Sequence, residues 1–172
     1  MRKNDIYAGL LKLVQEELME FEKFSVRKSP SVKLEKTHEE AVLPGYAKSG
    51  DAGADVRSVT ETVIQPGARA LLDLGFKIEI EDGWEIQVRP RSGLALKKGV
   101  TVLNSPGTID SGYRGQCGVI LQNNSRQPFP VRVGDRVAQF VLKRAPQASF
   151  TWTKSVSTSE RGEGGFGSTG VA

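Results

Sequence analysis

Leu72, Leu74, Phe76, Ile78 and Ile80 stand at every second position, separated by polar or small residues, and Trp84, Ile86 and Val88 resume the same beat after Asp82-Gly83. A period of two sends side chains alternately to opposite faces of an extended strand. It is incompatible with a helix, whose apolar stripe recurs every three to four residues. The stretch therefore predicts two strands, and the Asp-Gly step between them predicts a β-hairpin. The period holds from Val32 onward. Further short strands are expected around 100 to 103, 116 to 122, 129 to 133 and 136 to 142, with Gly134-Asp135 turning the last pair. Several short strands at this spacing predict an all-β sandwich or barrel.

Only the N-terminus follows a different rhythm. Ile6, Leu10, Leu13, Val14, Leu18, Phe21 and Phe24 fall three or four positions apart, which predicts an amphipathic helix over 4–24. Asp5 near its start and Lys23 near its end suit the helix dipole, and Ser29-Pro30-Ser31 breaks the pattern. At 172 residues the chain accommodates one ordinary domain. The expected organisation is a helical extension over 1–30, a β core over 31–154 and a glycine-rich arm over 155–172. That arm is rich in Ser, Thr and Gly, and by composition it is a flexible tail.

Charge and composition exclude several functions. The net charge of +4 is mild and no run of Lys or Arg forms a nucleic-acid arm, so the surplus reads as attraction for a small anion and not for DNA. A single cysteine, Cys117, and a single histidine, His38, exclude an internal disulfide and a zinc site of Cys/His type. Cys117 falls in an expected strand and is expected to be buried; His38 is expected to be exposed. The N-terminus lacks a signal-peptide apolar run, its acidic residues oppose a transit peptide, and no stretch is long enough to span a membrane. A cytoplasmic protein is expected.

Three segments carry candidate chemistry. Asp110 sits in the turn-rich Pro106-Gly107-Thr108-Ile109-Asp110-Ser111-Gly112-Tyr113-Arg114-Gly115, where an isolated Asp reads as a turn-former. Beside a glycine-lined pocket the same carboxylate would take a proton from water, and the lone His and Cys leave a carboxylate as the base. Arg89-Pro90-Arg91-Ser92-Gly93 follows a strand directly. It is either a solvated turn or a place where guanidinium groups, backbone N–H groups and a hydroxyl converge on phosphate. The arm holds Arg161 and Phe166 among glycines, and it is either a disordered end or a lid in which Phe166 stacks on a base and Arg161 neutralises a terminal phosphate.

Taken together these segments resemble the homotrimeric dUTP diphosphatases, over roughly residues 32 to 170, with five motifs in the family's order. They are Gly50 to Val56, Pro90 to Ala95, Asn104 to Gly115, Gly134 to Gln139 and Arg161 to Gly170. The resemblance implies a jelly-roll-like fold in a homotrimer, with three active sites at subunit interfaces that hydrolyse dUTP to dUMP and pyrophosphate. It implies that Asp110 activates the water attacking the α-phosphorus and that Tyr113 packs on deoxyribose, leaving no room for a 2′-hydroxyl. Asn104, Gly107, Thr108, Ile109 and Gly118 are implied to contact uracil in a tight hairpin that excludes the thymine methyl. Arg91, Ser92, Gly93 and Gln139 match phosphate-binding positions, and Asp55 matches a carboxylate that reaches Mg²⁺ through water. Arg161, Phe166, Gly167 and Ser168 match the arm that closes a neighbour's site. An extended chain from Thr153 to Arg161 reaches roughly 25 Å, far enough for that crossing.

The sequence departs from the family pattern at Gly112, where many relatives carry an acid. The N-terminal helix has no counterpart in the motifs; it either packs on the trimer or binds an unknown partner. Two other readings compete. A dCTP deaminase of the same fold would need a catalytic Glu in the strand after the hairpin, where this chain has Ile120. A phage-type regulatory protein would bind dUTP as a signal.

Overall fold

The alternating stretch forms the longest strand among the described residues. In the computed structural model, which describes residue 12, residues 14–17 and residues 30–165, Arg69–Ile80 is a continuous strand with Leu72, Leu74, Phe76, Ile78 and Ile80 all buried. Ten strands occur among the described residues: β1 (Val32–Lys36), β2 (Ala54–Arg57), β3 (Thr62–Ile64), β4 (Arg69–Ile80), β5 (Trp84–Arg89), β6 (Val100–Val102), β7 (Gly107–Asp110), β8 (Gln116–Asn123), β9 (Phe129–Val131) and β10 (Arg136–Arg144). Most of the helix expected over 4–24 lies outside the described residues; Lys12 and residues 14–17 are helical. Phe166, Gly167 and Ser168 also lie outside them.

The strands form two four-stranded antiparallel sheets, ordered β1-β4-β8-β6 and β2-β10-β5-β7, with a small β3-β9 ribbon beside them. Their apolar faces meet in one core, and Phe76 of one sheet packs edge-on against Phe140 of the other at 6.3 Å between centroids. Such a pair is worth about 0.5–1.5 kcal/mol beyond the area it buries. Asn123, fully buried, ties the ribbon to the sheet: its Nδ2 donates to the carbonyls of Ile64 and Gln127, and its Oδ1 accepts from Ser125. The result is a jelly-roll-like β sandwich.

Two expected hairpins are not hairpins. The turn at Asp82-Gly83 exists, but β4 and β5 enter different sheets. Both edges of β4 are taken by β1 and β8, and both edges of β5 by β10 and β7. Crossing the sandwich lets the apolar faces of β4 and β5 bury against each other, whereas pairing would leave them side by side on one sheet. The same holds for Gly134-Asp135, since β9 pairs with β3 and β10 with β2 and β5. The segment around Asp110 also departs from a hairpin, because β7 and β8 belong to different sheets.

A second helix, Ser92–Lys98, was not anticipated from the sequence. It is short and has no buried residue, so it lacks the apolar stripe that marks a longer helix. Its signals are Lys97 and Lys98 in the last turn and Gly99, whose φ of 65° makes it the left-handed C-cap. No helix among the described residues is long and apolar enough to cross a membrane.

Candidate functional site

β7 is the last strand of its sheet, and β8 pairs with β6 only from Leu121 onward. The facing stretches of the two strands therefore keep unpaired main-chain edges, and between them lies a cavity of 460 Å³. Asn104, Gly107, Thr108, Ile109, Asp110, Tyr113 and Gly118, scattered over fifteen positions, all line it. Glycines make the approach possible. A Cβ on Gly107 would stand 3.1 Å from Asn104 Nδ2 and 3.2 Å from Val88 Cβ, so only a glycine lets the carboxamide lie against β7. A Cβ on Gly118 would meet Leu71 Cδ1 at 2.8 Å, and Leu71 lies across that backbone as part of the wall.

Tyr113 stands at the rim. Its Oη donates to the Gln116 carbonyl across 2.8 Å, and its ring covers Gly115, where any Cβ would collide with the phenol. Arg114 Nη1 donates to the carbonyls of Ser111 and Tyr113, and Tyr113 N donates to the Asp110 carbonyl, which folds the turn tightly. Asp110 ends β7 opposite Glu85 of β5; its side chain is exposed and accepts no hydrogen bond among the described residues.

Cys117 is buried at the back of the cavity, as expected, with its thiol pushed up to about 11 by burial and secondarily by the Asp73 carboxylate. His38 is exposed.

Arg91, Asp55 and Gln139 gather elsewhere. Asp55 on β2 accepts from Arg91 Nε at 2.9 Å and Arg136 Nη1 at 3.1 Å, with Gln139 Nε2 at 3.5 Å. Sheet register sets this up, since Gln139 pairs with Asp55 on one side and with Arg89 on the other. Gly53 lets the Gln139 side chain lie against the backbone, because a Cβ there would stand 3.1 Å from its carboxamide. Ser92 and Gly93 open the short helix just beyond Arg91 and are exposed. None of these residues lines the 460 Å³ cavity. Arg161 lines neither region; its Nε donates to the Gly164 carbonyl in a turn of its own.

The cation question turns on Asp55. No group of three or more His, Cys, Asp or Glu residues that could hold a metal occurs among the described residues. The two oxygens of Asp55 offer about four acceptor sites, of which three face N–H donors. The set fits magnesium carried on a ligand's phosphates and touched through water, not magnesium caged by the protein.

Sequence reasoning missed Thr60, Leu71, Asp73 and Gln116 of the cavity and Arg136 of the arginine cluster. Leu71 and Asp73 occupy the polar-face positions of the alternating strand, so their periodicity marks them only as outward-facing. Arg136 lies inside the fourth motif, directly after the Gly134-Asp135 turn, where nothing local marks it as facing Asp55.

The sequence model of the dUTPase family matches residues 39–170. The chain belongs to the dUTPase family. Among relatives of this dUTPase-family chain, a deoxyuridine 5'-triphosphate nucleotidohydrolase of Helicobacter hepaticus is 50% identical over 141 residues, which is 82% of this chain and 89% of the relative. One of Caulobacter vibrioides is 52% identical over 133 residues, 75% of this chain and 86% of the relative. The fold is also that of a Staphylococcus bacteriophage 80alpha dUTPase solved with dUpNHpp, with a TM-score of 0.73 at 24% identity over 82% of this chain and 99% of that one. A dUTPase from phage phi11 of S. aureus, solved with a structural Mg(II) ion, gives 0.69 at 20% identity over 74% and 99%.

Proposed function

We propose that this dUTPase-family chain hydrolyses dUTP to dUMP and pyrophosphate. The observation that carries the reading is the convergence of Asn104, Thr108, Ile109, Asp110, Tyr113 and Gly118 on one cavity between two unpaired strand edges. Uracil presents two acceptors flanking one donor, and a pocket of main-chain groups that pairs with all three leaves buried groups unsatisfied when cytosine enters. Tyr113 presses on deoxyribose and leaves no space for a 2′-hydroxyl. Asp110 takes the proton from the water that attacks the α-phosphorus in line with the leaving pyrophosphate.

Charge supports a site shared between copies. The cavity lining contains Asp73 and Asp110 but no Lys or Arg among the described residues, so one chain alone offers a triphosphate only repulsion there. Arg91, Ser92, Gly93 and Gln139 of a second copy supply the phosphate contacts, and Arg161, Phe166, Gly167 and Ser168 of the arm close the site, in a homotrimer. Asp55 would hold magnesium through water, and the ion would supply charge neutralisation on the phosphates. The enzyme acts in the cytoplasm, with the helical extension at 1–30 appended to the catalytic core. A deaminase of the same fold would need an acid on β8, and the cavity positions there are Gln116, Cys117, Gly118, Val119 and Ile120.

Pyrophosphate release measured with dUTP, dCTP, dTTP and UTP in the presence of Mg²⁺ tests this. Cleavage of dUTP alone is expected. Inertness toward dUTP would overturn the proposal, and sedimentation as a fully active monomer would overturn the shared site.

A further inference from the structure

The backbone ladder between β4 and β8 breaks beside the cavity. Asp73 pairs with Gly118, but the next registered pair is Lys77 with Gln116, and Gly75 bulges between them with φ of 77°. At this break side chains replace the ladder. Asp73 Oδ1 accepts from Gly75 N at 2.7 Å and from Gln116 Nε2 at 2.6 Å. Thr37 Oγ1 donates to Gln116 Oε1 at 3.0 Å, and Asp73 N donates to Thr60 Oγ1 at 2.9 Å. Both ends of the Gln116 carboxamide are therefore held, and its orientation is unique. The main-chain carbonyl of the same residue is the acceptor for Tyr113 Oη.

We propose that Asp73 is a positioning residue for sugar discrimination, acting through Gln116 to hold the Tyr113 ring where it excludes a 2′-hydroxyl. This rests on the proposed reading of the cavity as a deoxyuridine site. The relay has two links. The Asp73 carboxylate anchors the Gln116 side chain beside the break in the ladder, where Cys117 has no registered partner on β4 and Gln116 is the next paired residue. The anchored Gln116 carbonyl then fixes the Tyr113 phenol above Gly115, whose missing side chain leaves the ring its seat. Loss of the carboxylate leaves the start of β8 held only by its pair with Lys77 and by Thr37, and loosens the ring with it.

The test is the ratio of kcat/KM for dUTP to that for UTP. Asp73→Ala is expected to lower this ratio by about tenfold, the size of losing a hydrogen bond to a charged group. Asp73→Asn keeps Oδ1 as an acceptor and is expected to retain most of the ratio. A purely structural role would depress both nucleotides alike and leave the ratio unmoved, so an unchanged ratio in Asp73→Ala would overturn the inference. If that variant does not fold, Gln116→Ala breaks the same link from its other end and is expected to lose discrimination equally; full discrimination there would equally overturn it. Failure of the unsubstituted chain to cleave dUTP would instead overturn the reading on which the relay rests.

Discussion

Arg91 donates from Nε to Asp55 Oδ1 across 2.9 Å, although the two residues lie 36 positions apart in the chain. The Asp55 carboxyl is only 11% exposed and also accepts from Arg136, so one carboxylate positions two guanidinium groups. Asp55→Ala is expected to leave both cations facing each other. Since Arg91 and Arg136 keep partial access to water, the cost is discounted from that of a fully buried pair to about 1–2 kcal/mol. Urea unfolding measures it, and in dUTP kinetics KM should rise if Arg91 makes the proposed phosphate contact, because Asp55 no longer aims it.

Asp110→Asn keeps the shape of the cavity rim and removes the carboxylate proposed as the base. Turnover of dUTP should fall by about 10² to 10⁴, the usual contribution of a positioned general base. Binding of a non-hydrolysable imido analogue, followed by calorimetry, should persist. Near-normal turnover in this variant would remove Asp110 from the chemistry.

Gly75→Ala places a Cβ 2.8 Å from that of Ala41 and 2.9 Å from Val59 Cγ1, at a left-handed backbone position. Conformational strain and overpacking together should destabilise the fold by about 2–4 kcal/mol. Guanidinium unfolding reads the change, and a midpoint equal to that of the parent would show that the bulge yields freely.

The buried Cys117 thiol makes stability depend on alkaline pH. Its pKa is raised from 9.0 to about 11 by burial and then by Asp73, so the unfolded chain ionises first as pH rises. The thiol's contribution is fully present below pH 9 and is lost as pH passes toward 11, up to about 3 kcal/mol. Unfolding of the parent and of Cys117→Ala across that window isolates the effect; parallel curves would mean that the thiol is not held neutral.

The legible part of this molecule was local. Leu72 to Ile80 announced a strand with one apolar face because alternation is a property of neighbouring residues, and Asp82-Gly83 announced a turn for the same reason. The helix at Ser92–Lys98 escaped because none of its residues is buried and no stripe results. Asp110, Tyr113 and Asn104 were legible as a group only through the motif that contains them. Asp73 was not, since nothing near it in the chain indicates that Gln116 lies 2.6 Å from its carboxylate.

By itself the sequence determined which stretches extend, which of their faces shun water, and which residue types stand in the motifs. Only the tertiary structure decided that β4 and β5 lie in opposite sheets, that β7 and β8 part to open a cavity, and that Arg91 meets Asp55 and not Asp110. The physical reason is that a period of two specifies a face but not a partner. Pairing is settled by which strand edges remain unoccupied once all the apolar faces have found a common core.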